Sequence, residues 1–273
     1  MTDGLLAAAL GVFDDARYPR LAVESAPAFQ GADPFPHLAV RDFLPVELAQ
    51  AAREVFPGPD DIPWYQASHD NARKRYQFED RYMPPLLRAV TAAFSSSRFL
   101  LFLEELTGIP SLVPDPHMVG GGMHLVSPGG LLQVHADFNW YHKLQVHRRV
   151  NALWYLSDDW DESWGGALEF WDAATQQEVD RAYPHFNSLA VFATGAGSLH
   201  GQPDPLACPE GTYRRALNFY YYTSAPDPVE AASPHWTRYV TGTPGGTDTV
   251  QADDPYAVEA SPFAAGLRER FLG

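Results

Sequence analysis

The sequence predicts an α+β protein in which helices come first and an antiparallel sandwich or barrel follows. Three observations carry this expectation. Segments with helical periodicity crowd residues 1–110, whereas residues 112–224 break into short β-like runs separated by Gly, Pro, Asn and Asp. The chain has 273 residues, 45% hydrophobic and 13% aromatic, enough for a substantial core. Helices followed by strands, rather than alternating with them, imply that the helices pack against one sheet.

Taken in order, residues 4–17 read as an amphipathic helix that stops before Pro19, and 18–36 as turns punctuated by Pro27, Gly31, Pro34 and Pro36. His37–Arg41 reads as a strand. Pro45 then opens a helix that Pro57 stops, because proline fits a first turn and cannot continue a helix. Residues 57–70 read as a loop. Pro84–Phe94 carries Leu87, Val90 and Phe94 on one face, and Ser97–Thr107 carries Leu100, Leu103 and Leu106, with Ser97 as N-cap and Gly108 as the stop. Strands are expected near 117–126, 131–137, 149–156, 167–171, 177–182, 188–193 and 212–223. Gly120-Gly121-Gly122 lacks the Lys-Ser/Thr or GxGxxG context of a phosphate loop and reads as a tight turn. Residues 225–273 read as an irregular tail with a terminal helix over 262–272, the whole chain forming one domain.

The formal net charge is -15, which disfavours nucleic acid and anionic membrane as partners. Cys208 is the only cysteine, so no intrachain disulfide forms, a CxxC zinc site is excluded, and a cytoplasmic setting fits. The apolar stretch Leu5–Phe13 lacks a basic flank and reads as a helix start rather than a signal peptide.

The chemistry gathers at Leu131–Trp140. His135 and Asp137 are two residues apart, so on an extended strand both side chains project from one face. They supply two of the three ligands of a two-histidine, one-carboxylate iron site that keeps positions open for oxygen chemistry. Roughly one His-x-acid pair is expected by chance in this composition, and this is the only one, so the pair needs further support. His200 is the best third ligand, following the apolar strand 188–192 and the turn Gly195–Gly197. His142 and His147 sit in a polar, surface-like segment with Lys143, Arg148 and Arg149. His185 lies in a turn beside Pro184, and His124 stands where it could face the same cavity. Further on, Arg214 and Arg215 enter a strong β-strand. Neighbours on a strand face opposite ways, so one of them points inward and requires a carboxylate.

With these motifs in hand, the chain resembles the iron(II)- and 2-oxoglutarate-dependent dioxygenases of the prolyl-hydroxylase-like branch, from about Asp33 to Arg238. The resemblance rests on Pro34-Phe35-Pro36-His37, Asp42–Pro45, His135–Asn139, Arg148-Arg149-Val150-Asn151, Tyr155-Leu156, Trp160, Gly165-Gly166, His200–Pro205 and Arg214–Leu217. It implies a double-stranded β-helix (jelly roll). It also implies iron(II) on His135, Asp137 and His200, O2 and 2-oxoglutarate as cosubstrates, and ascorbate as a stimulant. By the family pattern Arg214 anchors the far carboxylate of 2-oxoglutarate, with Ala216 and Asn218 on its face and Arg215 turned away. Tyr155 matches a tyrosine that assists, and Ser127 stands where some relatives carry a larger polar group. Asp137 favours hydroxylation, since related halogenases lack this carboxylate. A non-catalytic jelly-roll binding protein and a zinc or manganese hydrolase are the competing readings, and Arg214 has no role in the second. The expected substrate is a small molecule, amino-acid-like or a natural product; the oligomeric state is not legible.

Overall fold

The computed structural model describes residues 2–118, 120–225 and 234–240. Its helices are α1 (Thr2–Leu10), α2 (Arg17–Gln30), α3 (Val46–Glu54), α4 (Pro85–Phe94) and α5 (Ser97–Thr107). α2 overturns the expected turns at 18–36. Pro19 falls in the first turn, where its missing N–H has no helical acceptor to lose, and Pro27 falls near the end. The break from α1 comes earlier, where an Asp15 carboxylate oxygen accepts the Arg17 N–H at 2.8 Å. α5 is capped by Ser96, one residue before the expected Ser97, with its hydroxyl accepting from the Phe99 N–H. The helix stops at Gly108, whose φ is 72°. Among the described residues no single helix is long and apolar enough to cross a membrane.

The strands are β1 (His37–Val40), β2 (Tyr65–His69), β3 (Ala72–Gln77), β4 (Val113–Pro114), β5 (Gly122–Val126), β6 (Leu131–Ala136), β7 (Trp140–Tyr141), β8 (Val146–Tyr155), β9 (Leu168–Asp172), β10 (Gln177–Ala182), β11 (Leu189–Ala193), β12 (Leu199–Gln202), β13 (Arg214–Thr223) and β14 (Arg238–Tyr239). They form a nearly closed antiparallel sheet in the order β1-β11-β8-β13-β5-β3-β6-β12-β9-β10, the double-stranded β-helix arrangement.

Alternation divides the long strands between two cores. Val150, Ala152 and Trp154 of β8, with Leu217, Phe219 and Tyr221 of β13, join the cluster built by the helices. Leu153 and Tyr155 of β8 and Ala216 of β13 face the other way, into the barrel, with Leu168, Phe170 and Phe192. Phe94 of α4 stacks on Phe219 with ring centroids 4.3 Å apart, which ties the helices to the sheet.

Six strands fall where none was expected: β2, β3, β4, β7, β12 and β14. The segment read as a loop contains β2, which turns through Asp70-Asn71 into β3, and β3 is inserted between β5 and β6. β12 is only four residues long. β14 lies inside the tail expected to be irregular and pairs with β6 at His135 and Ala136. The helix expected at 262–272 lies outside the described residues. The strand expected from 117 starts at Gly122 instead, after a turn in which the Gly121 N–H donates to the Met118 carbonyl at 2.9 Å. A Cβ on Gly122 would stand 2.5 Å from the Gln77 carbonyl, and its φ is 79°, so only glycine lets β3 approach here.

Candidate metal and cosubstrate site

The metal site is assembled by two paired strands. His135 near the end of β6 and His200 in β12 are direct cross-strand partners, with ring centroids 4.5 Å apart. Gly201 permits this closeness, since a Cβ there would lie 2.8 Å from the Val134 Cα. Asp137 leaves the end of β6, its carboxylate oxygens 3.5 Å from His135 Nε2 and 3.4 Å from His200 Nε2. One potential ligand atom from each residue lies within 4.8 Å of the others.

The donor set fits a cation. His135 Nδ1 donates to the Gln133 carbonyl at 2.7 Å and His200 Nδ1 to the Ser198 carbonyl at 2.9 Å. Each Nε2 lone pair therefore turns toward the carboxylate. Burial, with the neighbouring His200, pushes His135 toward its neutral form. Burial alone would raise the Asp137 carboxyl, but Arg148 and the two histidines outweigh it and hold it well below the usual carboxylate range. Three electron-pair donors thus converge, an arrangement that a divalent ion between them satisfies.

Asp137 is held from outside as well. Asn151 Nδ2 donates to its Oδ2 at 2.8 Å, and the Arg148 guanidinium reaches the same oxygen at 3.0 Å. Arg148 Nε donates to Asn151 Oδ1 at 2.9 Å, and the guanidinium lies 3.6 Å from the Tyr220 ring centroid. The surface reading of the 142–149 segment therefore fails at Arg148, which is 4% exposed. A register shift between Tyr221 and Tyr222 of β13, opposite the start of β8, brings Arg148 to the same carboxylate as Asn151 despite their odd spacing. No sequence signal announces such a bulge. His142 and His147 are half-buried and take no part in the triad.

Behind the triad a cavity of about 200 Å³ opens, lined among others by Arg214, His124, Asn218, Lys74 and Tyr220. Arg214 is buried, donating from Nε to the Gly166 carbonyl at 2.8 Å and from NH2 to the Tyr155 hydroxyl at 3.0 Å. Burial raises the Tyr155 phenol against the opposing pull of Arg214, so it stays protonated. Arg215 faces the other side and pairs with Asp158 at 2.9 Å. His124 is buried against the Gly120 carbonyl at 3.0 Å, and burial with the nearby Lys74 cation keeps it neutral. His185 lies away from the triad, paired with Glu162 at 3.0 Å. Ser127 accepts a hydrogen bond from Arg75 at 2.8 Å.

An antiparallel jelly roll with two histidines and a carboxylate at one end and a buried arginine deeper in the same cavity defines the class of non-haem iron oxygenases. The profile of the 2OG-Fe(II) oxygenase superfamily matches residues 121–222, which contain all three candidate ligands and Arg214. Over this stretch the chain is similar to that superfamily. Its fold is similar to a prolyl-4-hydroxylase from Pseudomonas putida (TM-score 0.53, 20% identity, covering 74% of this chain and 98% of that one). It is also similar to a prolyl hydroxylase from Trichoplax adhaerens in complex with a hypoxia inducible factor peptide (TM-score 0.51, 14% identity, 76% and 90% covered). HygX from Streptomyces hygroscopicus, solved with nickel and 2-oxoglutarate, is a third (TM-score 0.50, 13% identity, 81% and 96% covered). Comparison with curated sequences gave no match.

Proposed function

We propose that the protein is a hydroxylase of a small molecule, amino-acid-like or a natural product, working as one domain in a reducing cytosol with ascorbate as a stimulant. The observation that carries the reading is the alignment of two carbonyl-oriented histidines with Asp137, in one cavity with the buried Arg214. His135, Asp137 and His200 are the residues that would hold iron(II). The guanidinium of Arg214, backed by the Tyr155 hydroxyl, would take the far carboxylate of 2-oxoglutarate. When bound, iron and 2-oxoglutarate supply oxygen activation: substrate C–H, O2 and 2-oxoglutarate become the alcohol, succinate and CO2.

The protein's own part is placement. Asn151 and Arg148 fix the carboxylate that would be a ligand, and the backbone carbonyls fix both imidazoles. Asp137 occupies the position a halide would need, so the expected product is an alcohol. The test is succinate formation from 2-oxoglutarate over a panel of small metabolites, in buffer containing chloride and under labelled O2. A labelled hydroxyl group in the product supports the reading, and a chlorinated product or succinate formation independent of iron overturns it.

A further inference from the structure

Lys74 is the cation in the cavity that neither the iron ligands nor Arg214 accounts for. It lies on β3, opposite Ala67 of β2, whose small side chain leaves the lysine room over the cavity. Arg75 pairs with Leu125 and Arg214 with Val126, so Lys74, next to Arg75, comes near the level of Val126 and Arg214, and all three line the cavity. No hydrogen bond or ion pair engages its ammonium among the described residues. Burial, together with Arg214 and Arg148, lowers it to about 8 against the pull of Asp137, so it sits in a cavity short of negative charge. The chain as a whole is strongly acidic, with net charge -15, yet the described residues lining the cavity set Lys74, Arg148 and Arg214 against a single carboxylate, Asp137.

Charge accounting gives Lys74 its role. With iron(II) and 2-oxoglutarate bound, the three carboxylates, Asp137 included, would face a divalent ion and the cations Arg214, Arg148 and Lys74, leaving about two positive charges in excess. Arg148 is engaged with Asp137 and Asn151. Arg214 would take the far carboxylate of 2-oxoglutarate, so Lys74 is the one of these cations left with no carboxylate in contact among the described residues. It also lies outside residues 121–222, the segment shared with the superfamily, on a hairpin whose Ala67 and His69 line the cavity with Thr237 and Tyr239. A second group in the cavity asks for a ligand: Asn218 Oδ1 is buried and lacks a hydrogen-bond donor.

We infer that Lys74 is the specificity residue for the substrate to be oxidised, which carries an anionic group, a carboxylate or phosphate, for this ammonium. The unpaired acceptor of Asn218 adds a requirement for a hydrogen-bond donor on the same molecule, as amino acids and hydroxy acids have. The inference rests on the oxygenase reading, because the charge accounting assumes iron and 2-oxoglutarate in place.

The test uses full-length protein loaded with manganese(II) and saturating 2-oxoglutarate, which silences the chemistry and fills Arg214. Binding of acetate, benzoate and inorganic phosphate is compared with that of acetamide and benzamide by calorimetry, in wild type, Lys74→Gln and Lys74→Arg. Benzoate should bind the wild type at least tenfold more tightly than benzamide, Lys74→Gln should lose that preference, and Lys74→Arg should keep most of it. Equal binding of benzoate and benzamide to the wild type overturns the inference without any variant. A preference that survives Lys74→Gln overturns it too. A tenfold loss of 2-oxoglutarate affinity in Lys74→Gln would assign the lysine to the cosubstrate instead. A wild type that binds neither manganese nor 2-oxoglutarate refutes the oxygenase reading, a result separate from any of these.

Discussion

The two faces of the barrel are built to different standards. The sheet formed by β11, β8, β13 and β5 is backed by all the helices, and its outer residues Trp154, Leu217 and Leu189 have 0% exposure. Among the described residues the opposite strands, β6, β12 and β9, carry a small outer cluster of Val134, Ala136 and Leu199, with Trp171 and Val240 against it and no helix residue. The backed sheet holds Arg214, Tyr155, Asn151 and Arg148, the groups that grip and steady. The thin sheet holds His135, Asp137 and His200, the groups that would bind metal. Packing is thus concentrated behind the anchors, whereas the two candidate histidine ligands owe their placement to strand pairing and two backbone carbonyls, and Asp137 is steadied across the barrel by Asn151 and Arg148. One sheet is a foundation, and the other is a fitting mounted on it.

Substitutions should separate the two faces. His135→Ala, Asp137→Ala and His200→Ala should each abolish succinate formation; the melting curve should move little for the two histidines, which lie outside the large apolar core, whereas Asp137→Ala should cost about 3–5 kcal/mol because the buried Arg148 loses its carboxylate. A melting point that collapsed in both histidine variants as well would make the thin sheet structural and erase the contrast. On the backed sheet, Trp154→Ala removes a fully buried ring and its hydrogen bond to Asn187, and should cost about 3–5 kcal/mol of stability by denaturant titration. Its effect on the 2-oxoglutarate requirement of the folded fraction should be small.

Arg214→Ala should weaken 2-oxoglutarate binding by roughly 2–5 kcal/mol, read by calorimetry with manganese, since a buried carboxylate would lose its charged partner. Asn151→Ala should lower metal affinity by about 10–100-fold, measured by titration with a competing chelator, while leaving Arg214 in place. The smallest effect is expected from Arg215→Ala, at most about 1 kcal/mol of stability, because its partner Asp158 is half exposed. Reversed phenotypes for Arg214 and Arg215 would show that β13 is out of register with its neighbours.

The candidate metal-binding end of the cavity was legible because its chemistry is local. His135 and Asp137 announce themselves by strand periodicity, and the Arg214 face follows from the family pattern, which the pairing of β13 with β5 and β8 reproduces. What escaped depends on long-range geometry. Arg148 reaches Asp137 across a strand irregularity that breaks the two-residue rhythm. Lys74 is in the cavity only because β3 enters the sheet between β5 and β6; β2 falls in the stretch read as a loop and β3 drew no expectation, since Gln66, Ser68, Arg73 and Arg75 show no apolar alternation. α2 was hidden by its prolines, which mark turns in isolation and are tolerated at helix ends.

The placement of β3 and β1 bears on how the chain reaches this state. Ala72 and Arg73 pair with Leu132 and Leu131, and His37 pairs with Phe192, so early segments wait for late ones before they find their partners. Such non-local pairing makes folding slow, because the chain must close large loops before any contact repays the lost entropy. During synthesis the first strands would emerge with their edges open and need shielding until β11 and β13 have left the ribosome. Expression yield should therefore respond more to chaperone supply and growth temperature than the stability of the finished protein would suggest.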